Sequence, residues 1–212
     1  MTTSEPSGTE AFHDFEQAGW ERAARFYVDS FGPLTVQAAP ALLDAVHAGS
    51  GTRFLDVACG PGFVAASAAG RGADVTGLDF ASAMIDEASR RHPGVAFRQG
   101  DAEELSFEDD RFDAITMNFG MLHLARPDAA IAEARRVLRR GGRYAFTVWA
   151  GRIVPSDSVW PCARLNATAT ARFRCRKARH SSVSAMQTTP ARRSKLRVSG
   201  TSRSANCRSS GS

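Results

Sequence analysis

The sequence predicts an α/β fold built on a Rossmann-like, doubly wound sheet that is mainly parallel. Three observations predict it. Short apolar runs alternate with amphipathic stretches between about residues 53 and 150, the pattern of strands joined by helical crossovers. The first run ends in an acid and a glycine turn, in "FLDVACGPGFVA" from Phe54 to Ala65. Two later runs also end in acids, Asp79 and Asp101. Parallel strands would bring such acids to one carboxyl edge, where folds of this class bind ligands.

Each element has its own reason. Residues 1–11 read as a short disordered leader, polar and without the basic-then-apolar order of a signal peptide. Residues 12–31 carry Phe15, Trp20, Ala23, Ala24, Tyr27 and Phe31 at helical spacing and stop at Gly32-Pro33. A second helix is expected over 35–48, with Leu42, Leu43 and Val46 on one face. "RFLDVA" is the first strand and "GFVAASAAGRG" a small-residue helix closed by glycine. "DVTGLDF" is the second strand, followed by the helix "SAMIDEASRRH", which Pro93 stops. "VAFRQGD" is the third strand and "FDAITMNF" the fourth. "DAAIAEARRVLRRGG" is a helix with Ile131, Ala134, Val137 and Leu138 facing inward and basic residues in its last turns. "RYAFTVWA" is the fifth strand.

Composition divides the chain in two. The 212 residues carry a net charge of +5, yet residues 161–212 hold 12 of the 27 lysines and arginines and none of the 22 acids. The body is therefore acidic and contains no lysine. The domain is expected to span 12–160, with 161–212 a disordered basic tail and the sheet truncated after its fifth strand. No apolar run approaches the roughly 18 residues of a membrane span, so a cytoplasmic location without membrane contact is expected. Cys59, Cys162, Cys175 and Cys207 lack metal-ligand spacing, so no metal site is expected.

The glycine loop alone leaves several ligands open. Gly60-x-Gly62-x-x-Ala65, with Asp79 after the next strand, also fits a dinucleotide fingerprint. Asp56 tilts the balance, because a carboxylate just before the loop would repel a pyrophosphate. Read with Asp79 and Asp101, it suits a ligand with cationic or hydroxyl-rich parts and no phosphate.

At this point the sequence resembles class I S-adenosylmethionine-dependent methyltransferases. It is closest to the ubiquinone/menaquinone-biosynthesis-like (methyltransferase type 11) group. The resemblance covers about residues 20–150 and rests on "LDVACGPG", "GLDFASAMIDEA", "GDAEELSFEDDRFDAI" and "ARRVLRRGGRYAFTVW" in that order. It implies S-adenosylmethionine as cofactor and a small-molecule methyl acceptor. It also implies that Asp56, Ala58, Gly60 and Gly62 line the methionine end, and that Asp79 binds the ribose hydroxyls. Phe80 and Met84 would pack on the adenine side, and Asp101 and Ala102 would meet the adenine amine and ring edge. Asn118 would lie between cofactor and acceptor, with Tyr27 and Trp20 capping the pocket. His123 is the histidine near the expected site.

The tail departs from that family, whose sheet ends in two further strands. Its sudden Arg/Ser/Thr excess points to translation out of frame. Codons rebuilt from the last base of one residue and the first two of the next permit LPLPEGPPFFRFGDA across residues 172–187, a far more ordinary segment. The competing functions are a nicotinamide-dependent oxidoreductase on a Rossmann fold and a nucleic-acid-binding protein acting through the basic tail. The first would lack Asp56, and the body has no lysine for a catalytic Tyr/Lys pair. Nucleic acid is the less expected partner.

Overall fold

The computed structural model describes residues 8–149 together with 169–173 and 181–187, the last two segments by backbone alone. In chain order the elements are α1 (Gly8–Ser30), α2 (Gly32–Thr35), a 3₁₀ turn (Val36–Ala38), α3 (Ala39–Ala45), β1 (Arg53–Val57) and α4 (Phe63–Gly70). There follow β2 (Asp74–Asp79), α5 (Ser82–Arg91), β3 (Ala96–Gln99), β4 (Phe112–Asn118), a 3₁₀ turn (Met121–His123) and α6 (Pro127–Val137). The remaining strands are β5 (Leu138–Trp149), β6 (Ala169–Phe173) and β7 (Ser181–Gln187).

One sheet has the order β3-β2-β1-β4-β5-β7-β6. β1 to β5 pair in parallel, as the alternating pattern requires. The chain reverses direction in the sheet between β1 and β4, which open a crevice at their carboxyl ends. Two apolar cores cover the two faces. Leu42, Leu43, Val46, Phe54, Val64 and Ala65 pack on one, and Leu55, Leu78, Ile115, Met117, Val137 and Tyr144 on the other. Strands buried on both faces read as continuous apolar runs, which is why "RFLDV" and "FDAITMN" lack clean alternation.

Four expectations are corrected. The leader ends earlier than residue 11, since residues 8–11 already belong to α1, whose first turn places Glu10 at the positive end of the helix dipole. The helix expected over 35–48 is broken into the 3₁₀ turn and α3, because Pro40 in the first turn of α3 has no N–H to continue a preceding helix. The helix expected to run to Gly142 stops at Val137, where Leu138 adopts φ −85° and ψ 123°. Leu138 is buried beside Phe112, and the pairing jumps from Phe112–Leu138 to Ala114–Arg143, so Arg139 to Gly142 loop out. Gly141 turns that loop at φ +77°. The sheet does not stop at β5 either. β7 pairs antiparallel with it from Arg143–Gln187 to Trp149–Ser181, and β6 pairs with β7, which satisfies backbone groups that an edge at β5 would leave open. The rest of the expected disordered tail, and the leader before residue 8, lie outside the described residues.

Candidate functional site

The carboxyl ends of β1, β2 and β4 form the floor of a cavity of about 310 Å³, the lower end of the range for small-molecule sites. Each floor residue is held there by the sheet. Asp56 lies opposite Gly77 on β2 and Thr116 on β4. It is 1% exposed. Its Oδ1 accepts from Thr116 Oγ1 at 2.8 Å and its Oδ2 from the Ala65 N–H at 3.1 Å. Ala65 is the third residue of α4, so Asp56 places its carboxylate on one amide of the first turn of that helix. That is the position an anionic ligand group would otherwise take. Burial pushes Asp56 up to about 7, with nearby Asp79 adding to the rise and the two hydrogen bonds opposing it.

The loop after β1 is built around two left-handed glycines. Gly60 has φ +53° with open space where a Cβ would stand, and its N–H donates to Asp79 Oδ2 at 2.8 Å. Gly62 caps α4 at φ +82°. A Cβ there would stand 2.7 Å from Phe97 Cζ and 3.1 Å from His92 Cδ2, so any side chain would be strained and would push the Phe97 ring. Asp79 also accepts from the Ala81 N–H at 3.0 Å. Burial raises it to about 6, against the pull of those amides.

The roof is α1. Asp101, after β3, accepts from the Glu103 N–H at 2.8 Å and meets His13 Nε2 at 3.1 Å. Gln17 Nε2 donates to the Phe80 carbonyl at 3.0 Å. Glu21 accepts from the N–H groups of Ser82 and Ala83 at 2.6 and 2.9 Å, capping α5 from another helix. Glu16 Oε2 accepts from Trp20 Nε1 at 3.2 Å and meets His123 Nδ1 at 2.8 Å. At the far end Tyr27 O–H donates to Thr35 Oγ1 at 3.1 Å, and burial raises its phenol above the usual value. Asn118 spans β4, β5 and α2: it donates to the Thr35 carbonyl at 3.1 Å and accepts from Thr147 Oγ1 at 2.7 Å.

Of the residues singled out in the sequence, Tyr27, Ala58, Gly60, Asp79, Phe80, Met84, Asp101, Ala102 and Asn118 line this one cavity. Trp20 and His123 line it too. Asp56 and Gly62 do not: they lie behind the loop and shape it. Glu16, Gln17 and Glu21 on α1 hold the roof, and so does His13. None was visible beforehand, because each ties α1 to a partner sixty or more residues away. Among the described residues no cluster of histidines, cysteines and acids could hold a metal. No described helix is long and apolar enough to cross a membrane.

The cavity's charge separates the candidate ligands. Asp79 and Asp101 line it, and among the described residues no lysine or arginine does. With Asp56 on the Ala65 amide of α4 and no described cation in the lining, the cavity offers a pyrophosphate little to bind. A family model for the methyltransferase domain matches residues 55–146. Residues 55–146 are thus similar to a methyltransferase domain. Over 103 residues it is 45% identical to a demethylmenaquinone methyltransferase of Beutenbergia cavernae, a match covering 49% of this chain and 43% of that one. The chain spans less than half the length of the curated relatives it matches first. Among solved structures, the [4+2]-cyclase SpnF is 28% identical with a TM-score of 0.51, covering 53% of this chain and 44% of that one. Phosphoethanolamine N-methyltransferase 1 of Haemonchus contortus, solved with phosphoethanolamine and S-adenosylhomocysteine, has a TM-score of 0.69. It covers 90% of this chain and 52% of that one at 16% identity, a likeness of fold alone. The matched region thus shares its fold with a cyclase as well as with methyltransferases.

Proposed function

We propose that the protein transfers a methyl group from S-adenosylmethionine to a small-molecule acceptor. One observation carries this reading: Asp56 takes up an amide at the start of α4, while Asp79 and Asp101 line a cavity to which no described lysine or arginine contributes. Such a site favours a ligand that presents an ammonium, a sulfonium and hydroxyls. Gly60 and Ala58 would hold the methionine end, and Asp79 the ribose hydroxyls. Asp101 and Ala102 would meet the adenine edge, between Phe80 and Met84. The cofactor supplies a methyl already activated on sulfur. The protein's own work is to align a nucleophile with it and to exclude water. Trp20, Phe119, Leu122 and Trp149 line the remaining wall, and Phe119 stacks on Trp149 at 4.1 Å between ring centroids. That apolar, aromatic wall suits an acceptor with a ring, in keeping with the acceptor class that the relatives' name states. The acidic body fits work in the cytoplasm.

Calorimetry on the full chain tests the reading. S-adenosylmethionine and S-adenosylhomocysteine should bind with one-to-one stoichiometry, and NAD should not. A folded chain that binds NAD and neither sulfur compound would overturn it. The same proposal includes the tail: residues 161–212 would be an out-of-frame product, supported by the loss of every acid there. Resequencing the coding region decides that, since an intact frame encoding the present residues excludes it.

A further inference from the structure

Glu16 and His123 meet across the cavity from elements 107 residues apart, α1 and the 3₁₀ turn after β4. A carboxylate only accepts hydrogen bonds, so the 2.8 Å contact makes His123 Nδ1 the donor. In the neutral imidazole, Nδ1 then carries the proton and Nε2 the lone pair. The ring is further fixed by Trp20, whose edge packs against it at 4.9 Å between centroids and 85° between planes. Trp20 Nε1–H is held by the same Glu16 oxygen. The imidazole lines the cavity beside the apolar wall, with its side chain 36% exposed. No partner among the described residues takes Nε2. The other acids of the lining are engaged: Asp79 by two backbone amides, and Asp101 by an amide and His13. This is the arrangement of a base with its orienting carboxylate.

We propose that His123, oriented by Glu16, is the general base of the methyl transfer, and that the acceptor presents a phenolic hydroxyl. The inference rests on the methyl-transfer reading and narrows it. A phenol is a poor nucleophile until its proton leaves, and a neutral base at Nε2 can take that proton as the bond forms. An amine needs no such help, since its lone pair attacks before any proton is lost. In the step the acceptor oxygen forms its bond to the methyl carbon and the carbon–sulfur bond breaks. The bonding pair stays on sulfur, leaving a neutral thioether. The phenolic proton goes to His123 Nε2 and from there to solvent. His123 touches the reacting group, and Glu16 is a positioning residue that keeps the lone pair on the cavity side.

The test uses the full chain with methyl-labelled S-adenosylmethionine. The acceptor probes are phenol, catechol, hydroquinone and 2-naphthol, each beside its matched arylamine. At least one phenol should be methylated, with kcat/KM above that of its amine. His123→Gln, which keeps size and polarity, should lower kcat on that phenol by about 100-fold while calorimetry shows cofactor affinity within twofold. Glu16→Gln should lower kcat by about tenfold and move the acidic limb of the pH–rate profile to lower pH, which a purely structural role would not do. The titratable groups facing the imidazole are Glu16 on α1 and, across the cavity, Tyr27, Asp79 and Asp101. The profile of Asp86→Asn, exposed on α5 and outside the cavity lining, serves as control and should keep the limb. Any of three results overturns the proposal: a chain that binds the cofactor and methylates no phenol, a preference for the amines, or His123→Gln retaining more than a third of kcat. Failure of the unmodified chain to bind S-adenosylmethionine strikes the methyl-transfer reading instead.

Discussion

The floor and the roof of the cavity are held by different physics. On the floor, Asp56 and Asp79 are bound by backbone amides and an adjacent strand, and both are buried. Their positions follow from the sheet. On the roof, α1 is tied down by side chains at its half-exposed inner face, through Glu16, Gln17 and Glu21. The floor is thus preformed and charged at an energetic cost, whereas the roof is a set of separable contacts. A ligand meets a fixed floor, and any adjustment falls on α1.

The cost of the floor gives the largest expected effect. An unfolded aspartate ionises near 4, while folded Asp56 and Asp79 do so at about 7 and about 6. Between those values the folded state holds protons that the unfolded state has lost. Stability therefore falls as pH rises from about 4 to about 7 and is flat above. For Asp56 alone, a shift of that size amounts to a loss of up to about 4 kcal/mol. Urea melts of the unliganded chain at pH 5 and pH 8 should show the higher midpoint at pH 5. In Asp56→Asn the difference should shrink to the smaller part that Asp79 contributes. Equal midpoints in the unmodified chain would mean that the floor carboxylates are not held charged against their burial.

Gly62→Ala strikes the floor through geometry instead. It forces a side chain into φ +82° and against the Phe97 ring. A left-handed alanine costs about 1 kcal/mol, and the overpacking about 1–3 kcal/mol more. A loss of about 2–4 kcal/mol in urea denaturation is expected. Gly60→Ala, with open space at its Cβ, should lose only the backbone part. If the two variants are alike, packing against Phe97 does not define the loop.

That contrast explains what was legible. Asp56, Gly60, Gly62 and Asp79 lie within 24 residues and follow from strand–turn–helix order, so the floor could be read locally. The direct role expected for Asp56 could not, since only the strand register shows it turning to Thr116 and the Ala65 amide of α4. The end of α6 at Val137 was misread because basic residues and Gly-Gly are an ordinary helix ending, while burial of Leu138 beside Phe112 is a tertiary fact. The roof stayed hidden for the same reason. Glu16 and Glu21 look like solvated helix charges until their distant partners are placed.

A third effect separates binding from stability. Asp79→Asn removes the charge and keeps an acceptor for only one of the Gly60 and Ala81 amides, which Oδ2 and Oδ1 hold separately. Losing a charged hydrogen bond to a ligand costs about 1.5–3 kcal/mol, so the dissociation constant of S-adenosylmethionine should rise by roughly tenfold to a hundredfold. Melting of the unliganded chain at pH 8 should change little, because removing a buried charge offsets the one amide bond lost. If both fall together, Asp79 belongs to the scaffold and not to the binding surface.

The smallest effect probes the roof. Glu21 sets its carboxylate on the first amides of α5, Ser82 and Ala83, where the helix dipole favours negative charge. Glu21→Gln keeps one acceptor oxygen and loses the charge, so about 0.5–1 kcal/mol of stability should go. The loss should shrink in high salt, since the contact is exposed. Hydrogen exchange should locate it: amides of α1 and the first turn of α5 should exchange faster, while those of β1, β2 and β4 stay unchanged. Faster exchange spreading into the strands would mean that the roof and floor unfold as one unit, and the division between them would not stand.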